Sequence, residues 1–160
     1  MKVLLVNGSP HKEGCTYTAL KEVEKELNAA GVDTEIIWLG VKPVSGCLGC
    51  AQCIKRGPDG QPASLRCFID DGVNEFLDKA EKADGFIFGS PVHYAALSGA
   101  LTSFMDRAFY GKGAIYRYKP AAGIVSARRG GTTAAFDQIN KYFTISSMPV
   151  VSSKYWNMVH

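Results

Sequence analysis

The sequence predicts an α/β fold in which helices cover both faces of a parallel β-sheet. Segments with the pattern of strands alternate along the chain with segments that have the apolar spacing of helices, which is the order of βαβ units. The first strand segment, KVLLVNGS, is a continuous apolar run, as is typical of a parallel strand buried on both faces. The composition is that of an ordinary globular protein, with 46% hydrophobic and 21% charged residues. Because 160 residues suit one core, we expect residues 1–160 to form a single domain.

The first half of the chain predicts two strands, one helix and a long loop. The segment TYTALKEVEKELNAAG follows the first strand, has apolar residues at helical spacing and ends at Gly31. The segment DTEIIWLG predicts the second strand. Residues 41–71 are different, because they contain three prolines, several glycines and four of the five cysteines. We expect a long loop there, and long loops in compact domains are usually functional or mobile.

The second half of the chain repeats the alternation. GVNEFLDKAEKA predicts a second helix, DGFIFGSP a third strand, and LSGALTSFMDRAFY a third helix. AAGIVSAR then predicts a fourth strand, GGTTAAFDQINKYF a fourth helix, and PVVSSKYWNMV a fifth strand. The helix expected after the fifth strand is missing from this sequence. Either the sequence is shortened, or another subunit covers that surface.

Charge and hydropathy exclude several classes of partner. The net charge is only +3 and the basic residues are scattered, so no nucleic-acid partner is expected. No apolar run is long enough to span a membrane, and the opening MKVLLV is too short for a signal peptide. We therefore expect a cytoplasmic protein. In that setting its cysteines are better interpreted as thiols or metal ligands than as disulfides.

The loop after the first strand, NGSPHKEGCTYT, has the composition of an anion site. It lacks both the dinucleotide fingerprint GxGxxG and the Walker pattern GxxxxGK[ST]. It does place hydroxyl-bearing and small residues at the start of a helix, where free N–H groups attract an anion. No residue is placed to hold Mg²⁺, which suits a phosphate monoester better than a triphosphate. The alternative is an ordinary capped turn between strand and helix.

Three segments together resemble the flavodoxin-like FMN reductases. They are NGSPHKEGCTYTAL, GSPVHYAALSGALTSFMDR and SARRGGTTAAF, which follow the first, third and fourth strands. The segment GCLGCAQC…RCFIDD resembles the same region of the iron–sulfur flavoproteins of that family. The resemblance implies a flavodoxin-like three-layer sandwich with a five-stranded parallel sheet in the order 2-1-3-4-5. FMN would lie at the carboxyl ends of the strands, where the strand order reverses.

The resemblance also assigns residues to each part of FMN. Those that would surround its phosphate are Ser9, His11, Cys15, Thr16 and Tyr17. Those that would lie along the isoalloxazine, with their backbone N–H groups at its polar edge, are Pro91, Val92, His93 and Tyr94. Those that would close the other side are Ala127, Arg128, Gly130 and Gly131. The chain departs from the family where His11 replaces the common Arg and Cys15 the common Asn.

The chemistry implied by the resemblance is electron transfer through FMN. NAD(P)H would donate a hydride to the flavin, and a small-molecule acceptor or a redox protein would take the electrons. No catalytic side chain is expected. The alternative is an electron carrier of the flavodoxin type, although true flavodoxins tend to be acidic and this chain is mildly basic. The resemblance further implies a homodimer or homotetramer.

Three alternatives stay open for Cys47, Cys50, Cys53 and Cys67. Four thiolates at such positions suit a [4Fe–4S] cluster or a zinc ion. They could also line a loop without any metal. The last two cysteines are separated by thirteen residues, a longer gap than in the iron–sulfur flavoproteins. Beyond this loop, we expect Asp106 and Arg107 to form an ion pair at a helix surface or an interface.

Overall fold

A four-stranded parallel sheet forms the centre of the computed structural model, which describes residues 1–56, 58–60, 66–155 and 157–158. The spatial order of its strands is β2-β1-β3-β4, and every neighbouring pair is parallel. The strands are β1 (Lys2–Asn7), β2 (Asp33–Trp38), β3 (Gly85–Pro91) and β4 (Ala121–Ser126). The α/β class and the order of the first four strands are therefore confirmed.

Helices cover the sheet unevenly. They are α1 (Cys15–Ala29), α2 (Val73–Lys82), α3 (Gly99–Lys112) and α4 (Thr132–Ile145), with short 3₁₀ helices at Gln52–Ile54 and Gly113–Tyr116. Residues of α2, α3 and α4 pack together with Leu4 and Val6 of β1, whereas α1 packs on the opposite face against Val3 and Leu5. This alternation of burial along β1 follows from side chains that point to opposite faces of a strand in turn. None of the helices in the described ranges is long and apolar enough to cross a membrane.

The predicted fifth strand is wrong. Within the described residues after α4, pairing with β4 is limited to one bridge between Ala121 and Val150. Pro149 has no N–H to extend the ladder, and the Ser153 hydroxyl donates to the carbonyl of Tyr155, which is a local alternative to sheet pairing. Val151 is more than half exposed, so little burial would hold a strand here. Residues 156, 159 and 160 lie outside the described residues.

The parallel arrangement brings the chemistry-bearing loops to one edge of the sheet. Since all four strands run in the same direction, the loops that follow β1, β3 and β4 leave from the same edge. Asn7 pairs with Gly89 in the register of β1 and β3, and Pro91 pairs with Ser126 in that of β3 and β4. The ends of three strands are thus side by side.

Candidate functional site

The loop after β1 (residues 8–14, here the first loop) is held in one conformation by local hydrogen bonds. The Ser9 N–H donates to Asn7 Oδ1 at 3.0 Å, and the His11 N–H donates to Ser9 Oγ at 3.1 Å. Asn7 Nδ2 donates to the Lys12 carbonyl at 3.2 Å, and both Asn7 and Ser9 are buried. Because a buried amide joins two points of the loop, the loop is a preorganised turn rather than a free connection.

The first turn of α1 keeps N–H groups that can donate to an anion. Its N-cap is Gly14, and no side chain caps the helix. The first four N–H groups of a helix lack partners within it, and the positive end of the helix dipole lies here. The predicted phosphate residues His11 and Cys15 are exposed beside this turn. The Thr16 hydroxyl is used differently, since it is buried and bonds to the Ser126 hydroxyl of β4 at 2.8 Å.

The turn after β3 (residues 93–96, here the β3 turn) presents a tyrosine to solvent. Reciprocal bonds between His93 and Ala96 close it at 2.9 and 3.0 Å. Tyr94 and Ala95 have φ values of 51° and 58°, which are unfavourable for residues other than glycine. Tyr94 is fully exposed. Strained backbone of this kind collects at functional sites.

Two N–H groups that we expected at the flavin edge are already bonded within the protein. The Val92 N–H donates to the Ser126 carbonyl at 2.8 Å, and the His93 N–H donates to Ala96. Pro91 has no N–H. Of the four residues assigned to the isoalloxazine, only Tyr94 has a backbone N–H without a hydrogen-bond partner in the described part of the protein.

The loop after β4 (residues 127–131, here the β4 loop) lies against the β3 turn. Residues 127–130 are exposed, and Gly131 is the N-cap of α4 with a φ of 89°. A Cβ on Gly131 would lie 2.9 Å from Ala95 Cα and 3.1 Å from Val92 Cγ1. The structure therefore brings the three predicted segments side by side: Thr16, in the first turn of α1, bonds to Ser126 at the end of β4, and Gly131 of the β4 loop packs against the β3 turn.

The four cysteines of residues 41–71 (the cysteine loop) line a single pocket. Arg107, Tyr110 and Gly111 of α3 form its other wall. Burial, with a smaller effect of the neighbouring thiols, raises the pKa of Cys53 above its ordinary value. Within the ranges that the structure describes, no three histidine, cysteine or acidic side chains lie close enough to hold a metal ion.

Arg107 joins both ends of the cysteine loop to α3. Its side chain is 1% exposed and pairs with Asp71, while Nη1 donates to the Ser45 carbonyl at 3.2 Å and Nη2 to the Ile69 carbonyl at 3.0 Å. The expectation of a surface ion pair is wrong for Arg107, because this guanidinium is buried. Asp106 instead accepts a bond from the Tyr142 hydroxyl at 2.5 Å.

The Asp71 carboxyl makes stability depend on pH. Burial alone would raise its pKa, but hydrogen bonds from Arg107 and the Ser45 N–H outweigh burial and lower the pKa below the ordinary value of 3.8. A carboxyl with a depressed folded-state pKa stabilises the protein above its unfolded pKa, and this contribution is lost as pH falls through the folded pKa. Between about pH 5 and pH 2 we expect the free energy of unfolding of the native chain to fall more steeply than that of Asp71→Asn. Urea unfolding at a series of pH values measures this, and parallel curves would contradict it.

Comparisons with known proteins agree with this architecture. The flavodoxin-like class is defined by the fold: an NAD(P)H:acceptor oxidoreductase of Paracoccus denitrificans superposes with a TM-score of 0.69 at 18% identity, covering 96% of this chain and 76% of that one. An archaeal flavodoxin superposes with a TM-score of 0.63 at 17% identity, covering 96% and 80%. At such identities the likeness concerns the fold alone.

The sequence itself establishes the family. The family model described as NADPH-dependent FMN reductase matches residues 1–160, and the chain belongs to that family. An iron–sulfur flavoprotein of Methanocaldococcus jannaschii is 35% identical over 154 residues, which cover 94% of this chain and 76% of the relative. An iron–sulfur flavoprotein of Archaeoglobus fulgidus is 28% identical over 156 residues, which cover 95% and 73%. The resemblance on which the site residues were assigned is thereby confirmed.

Proposed function

We propose that this protein binds FMN where the first loop, the β3 turn and the β4 loop meet, and uses it to carry electrons from NAD(P)H to a second acceptor. The observation that carries the proposal is the arrangement of these segments around the uncapped N-terminus of α1: Thr16 of α1 bonds to Ser126 at the end of β4, and the β4 loop packs against the β3 turn at Gly131. Family membership supports FMN as the ligand and an oxidoreductase as the activity. The acceptor is a small molecule or a redox protein.

The residues present suit the two ends of FMN. The first turn of α1 would hold the phosphate through its free N–H groups, and the exposed His11 and Cys15 would lie at its rim. At the other end, the exposed Tyr94 offers an aromatic surface for the isoalloxazine. Gly131 lets the β4 loop approach the β3 turn from the other side. When bound, FMN supplies the hydride acceptance and electron release, and the chain supplies position and shelter from water.

A second candidate function is electron transfer through a [4Fe–4S] cluster held by Cys47, Cys50, Cys53 and Cys67. Two observations favour it: all four thiols line one pocket, and relatives that match nearly the whole chain are iron–sulfur flavoproteins. Four cysteine sulfurs are the ligand set that such a cluster needs. The cysteine loop would have to draw its thiols closer together than they lie here.

The experiment uses protein purified without oxygen. Its visible absorption spectrum, and the iron and acid-labile sulfide bound per FMN, distinguish the outcomes. Flavin bands with about four iron and four sulfide per chain would support both functions. Flavin bands without iron or sulfide would rule out the cluster, and the cysteine loop would then carry free thiols or a zinc ion. Absence of flavin would overturn the main proposal. Oxidation of NAD(P)H with an added acceptor then separates a reductase from an electron carrier that does not react with NAD(P)H.

Gly111 provides a test of the cluster with its own control. A Cβ at this position would lie 3.2 Å from Cys53 Cβ and 3.4 Å from its Sγ, so alanine requires the Cys53 side chain to give way by a few tenths of an ångström. A metal site needs its ligands held to within about 0.5 Å, and extra bulk beside Cys53 opposes the approach of the thiols that a cluster would need. We expect Gly111→Ala to lower the iron bound per chain while FMN content stays unchanged. Gly113→Ala, at a position with no atom within 4 Å, should leave both unchanged. Equal iron in the two variants would contradict the assignment of Cys53.

A further inference from the structure

Trp38, at the carboxyl end of β2, contacts the first loop from outside. Its indole N–H donates to the Ser9 carbonyl at 2.8 Å, a bond between residues 29 positions apart. The Lys12 ammonium lies 6.0 Å from the centroid of the same ring, within the range of a cation–π contact. One side chain therefore holds two separate points of the loop, an oxygen near its start and a cation near its middle.

Asn7 holds the same two residues as well. Its side chain accepts from the Ser9 N–H and donates to the Lys12 carbonyl. Asn7 and Trp38 are also direct partners in the register of β1 and β2. Two adjacent strands thus end in a pair of side chains, here the clamp, that both hold the first loop. The amide is buried in the core, and the indole is half-buried at the surface.

The clamp acts on the electrostatics of an anion site. A carbonyl oxygen bears partial negative charge and would repel a phosphate unless it is bonded elsewhere, and the indole N–H occupies the Ser9 carbonyl. A lysine over an aromatic ring has fewer accessible positions than a free one, so less entropy is lost when it meets an anion. This matters here because the arginine common at the position of His11 is missing. Lys12 is the next residue along the loop.

We infer that Trp38 is the positioning residue for the FMN phosphate: its N–H fixes the first loop at Ser9, and its ring seats Lys12 as the phosphate-binding cation. This inference rests on the proposed function, because it needs FMN in this site. It concerns the phosphate end alone. Riboflavin, which has the same ring system and lacks the phosphate, is therefore the discriminating ligand.

The test is titration of the full chain, freed of flavin by dialysis, with FMN and with riboflavin. Trp38→Phe keeps an aromatic ring and removes the N–H, and loss of one hydrogen bond predicts a rise in the FMN Kd of about fivefold. The riboflavin Kd should stay unchanged. The matched control is Tyr142→Phe, which also removes one hydrogen bond, to Asp106 on α3, and should alter neither Kd. Lys12→Met should weaken FMN alone and reduce the sensitivity of its binding to salt.

Each outcome has a distinct meaning. Selective loss of FMN affinity in Trp38→Phe and Lys12→Met supports the inference. Equal loss of FMN and riboflavin in Trp38→Phe, or no loss of either, overturns it, because a merely structural tryptophan would not distinguish the two ligands. If Trp38→Phe does not fold, the ratio of the FMN Kd to the riboflavin Kd in Lys12→Met decides. This variant is expected to fold because the Lys12 side chain is exposed. If the unmodified chain binds neither flavin, the proposed function fails and this inference fails with it.

Discussion

Replacement of Gly131 by alanine is expected to lower FMN affinity by at least about tenfold and to destabilise the fold by about 1–3 kcal/mol. The φ of 89° is strained for any residue with a Cβ. The added methyl would also lie 2.9 Å from Ala95 Cα, which is backbone and cannot rotate away. The β3 turn or the β4 loop must therefore shift, and Tyr94 shifts with the turn.

Gly113→Ala is the control for this prediction. It adds the same methyl outside the segments assigned to FMN, at a position where a Cβ would meet no atom of the described residues within 4 Å and where the φ is not left-handed. In FMN titration and thermal unfolding, this variant should remain close to the native chain. If Gly113→Ala and Gly131→Ala lose FMN to the same degree, the contact between the β3 turn and the β4 loop is not what shapes the site.

Arg107→Met is expected to destabilise the fold by about 3–5 kcal/mol. It would leave the Asp71 carboxylate without its partner and remove the donors to the carbonyls of Ser45 and Ile69. Burial disfavours the Arg107 cation, but Asp71 and the nearby Cys67 outweigh this and raise its pKa. The cysteine loop should loosen at both ends, so any iron that the proposed cluster site holds should fall together with stability.

Urea unfolding of four variants, namely Arg107→Met, Asp71→Asn, their double variant and Lys25→Met, checks this expectation. Lys25→Met removes a charge from an exposed pair with Glu22, 3.8 Å apart, and should cost little. The double variant Asp71→Asn/Arg107→Met should be more stable than the sum of the single losses predicts, because no unpaired carboxylate is left behind. Strict additivity, or an Arg107→Met variant as stable as Lys25→Met, would show that the buried pair contributes little.

The first four strands, and the loops that they bring to one edge of the sheet, could be predicted because their signals are local. A continuous apolar run such as β1, or the glycines before α4, can be recognised from a few neighbouring residues. The carboxyl ends of parallel strands must then lie at the same edge of the sheet. The prediction of a fifth strand after α4 was wrong because it also relied on a local signal. Its valines have the composition of a strand, yet Val150 and Val151 are too exposed to be held in one.

The contacts that organise the sites could not be predicted in this way. Arg107 and Asp71 are 36 residues apart, and nothing in the helical pattern of α3 marks that arginine as buried. Trp38 looks like an ordinary aromatic at a strand end until its bond to Ser9 is seen. The N–H groups of Val92 and His93 were assigned to a ligand because the sequence does not show their partners in the protein. These partners are the carbonyl of Ser126 on β4 and that of Ala96 in the same turn.

The hydroxyl contact between Thr16 and Ser126 has a consequence for how the protein is made. The two residues are 110 positions apart, so the contact requires β4 to have docked on the sheet. Contacts of such long range are slow to form because the loop must close before they contribute. During synthesis, the first loop would leave the ribosome long before the strand that completes its surroundings. A ligand that binds only the finished arrangement would stabilise the last contacts to form by mass action, so cellular flavin supply would influence how much of the newly made chain survives proteolysis.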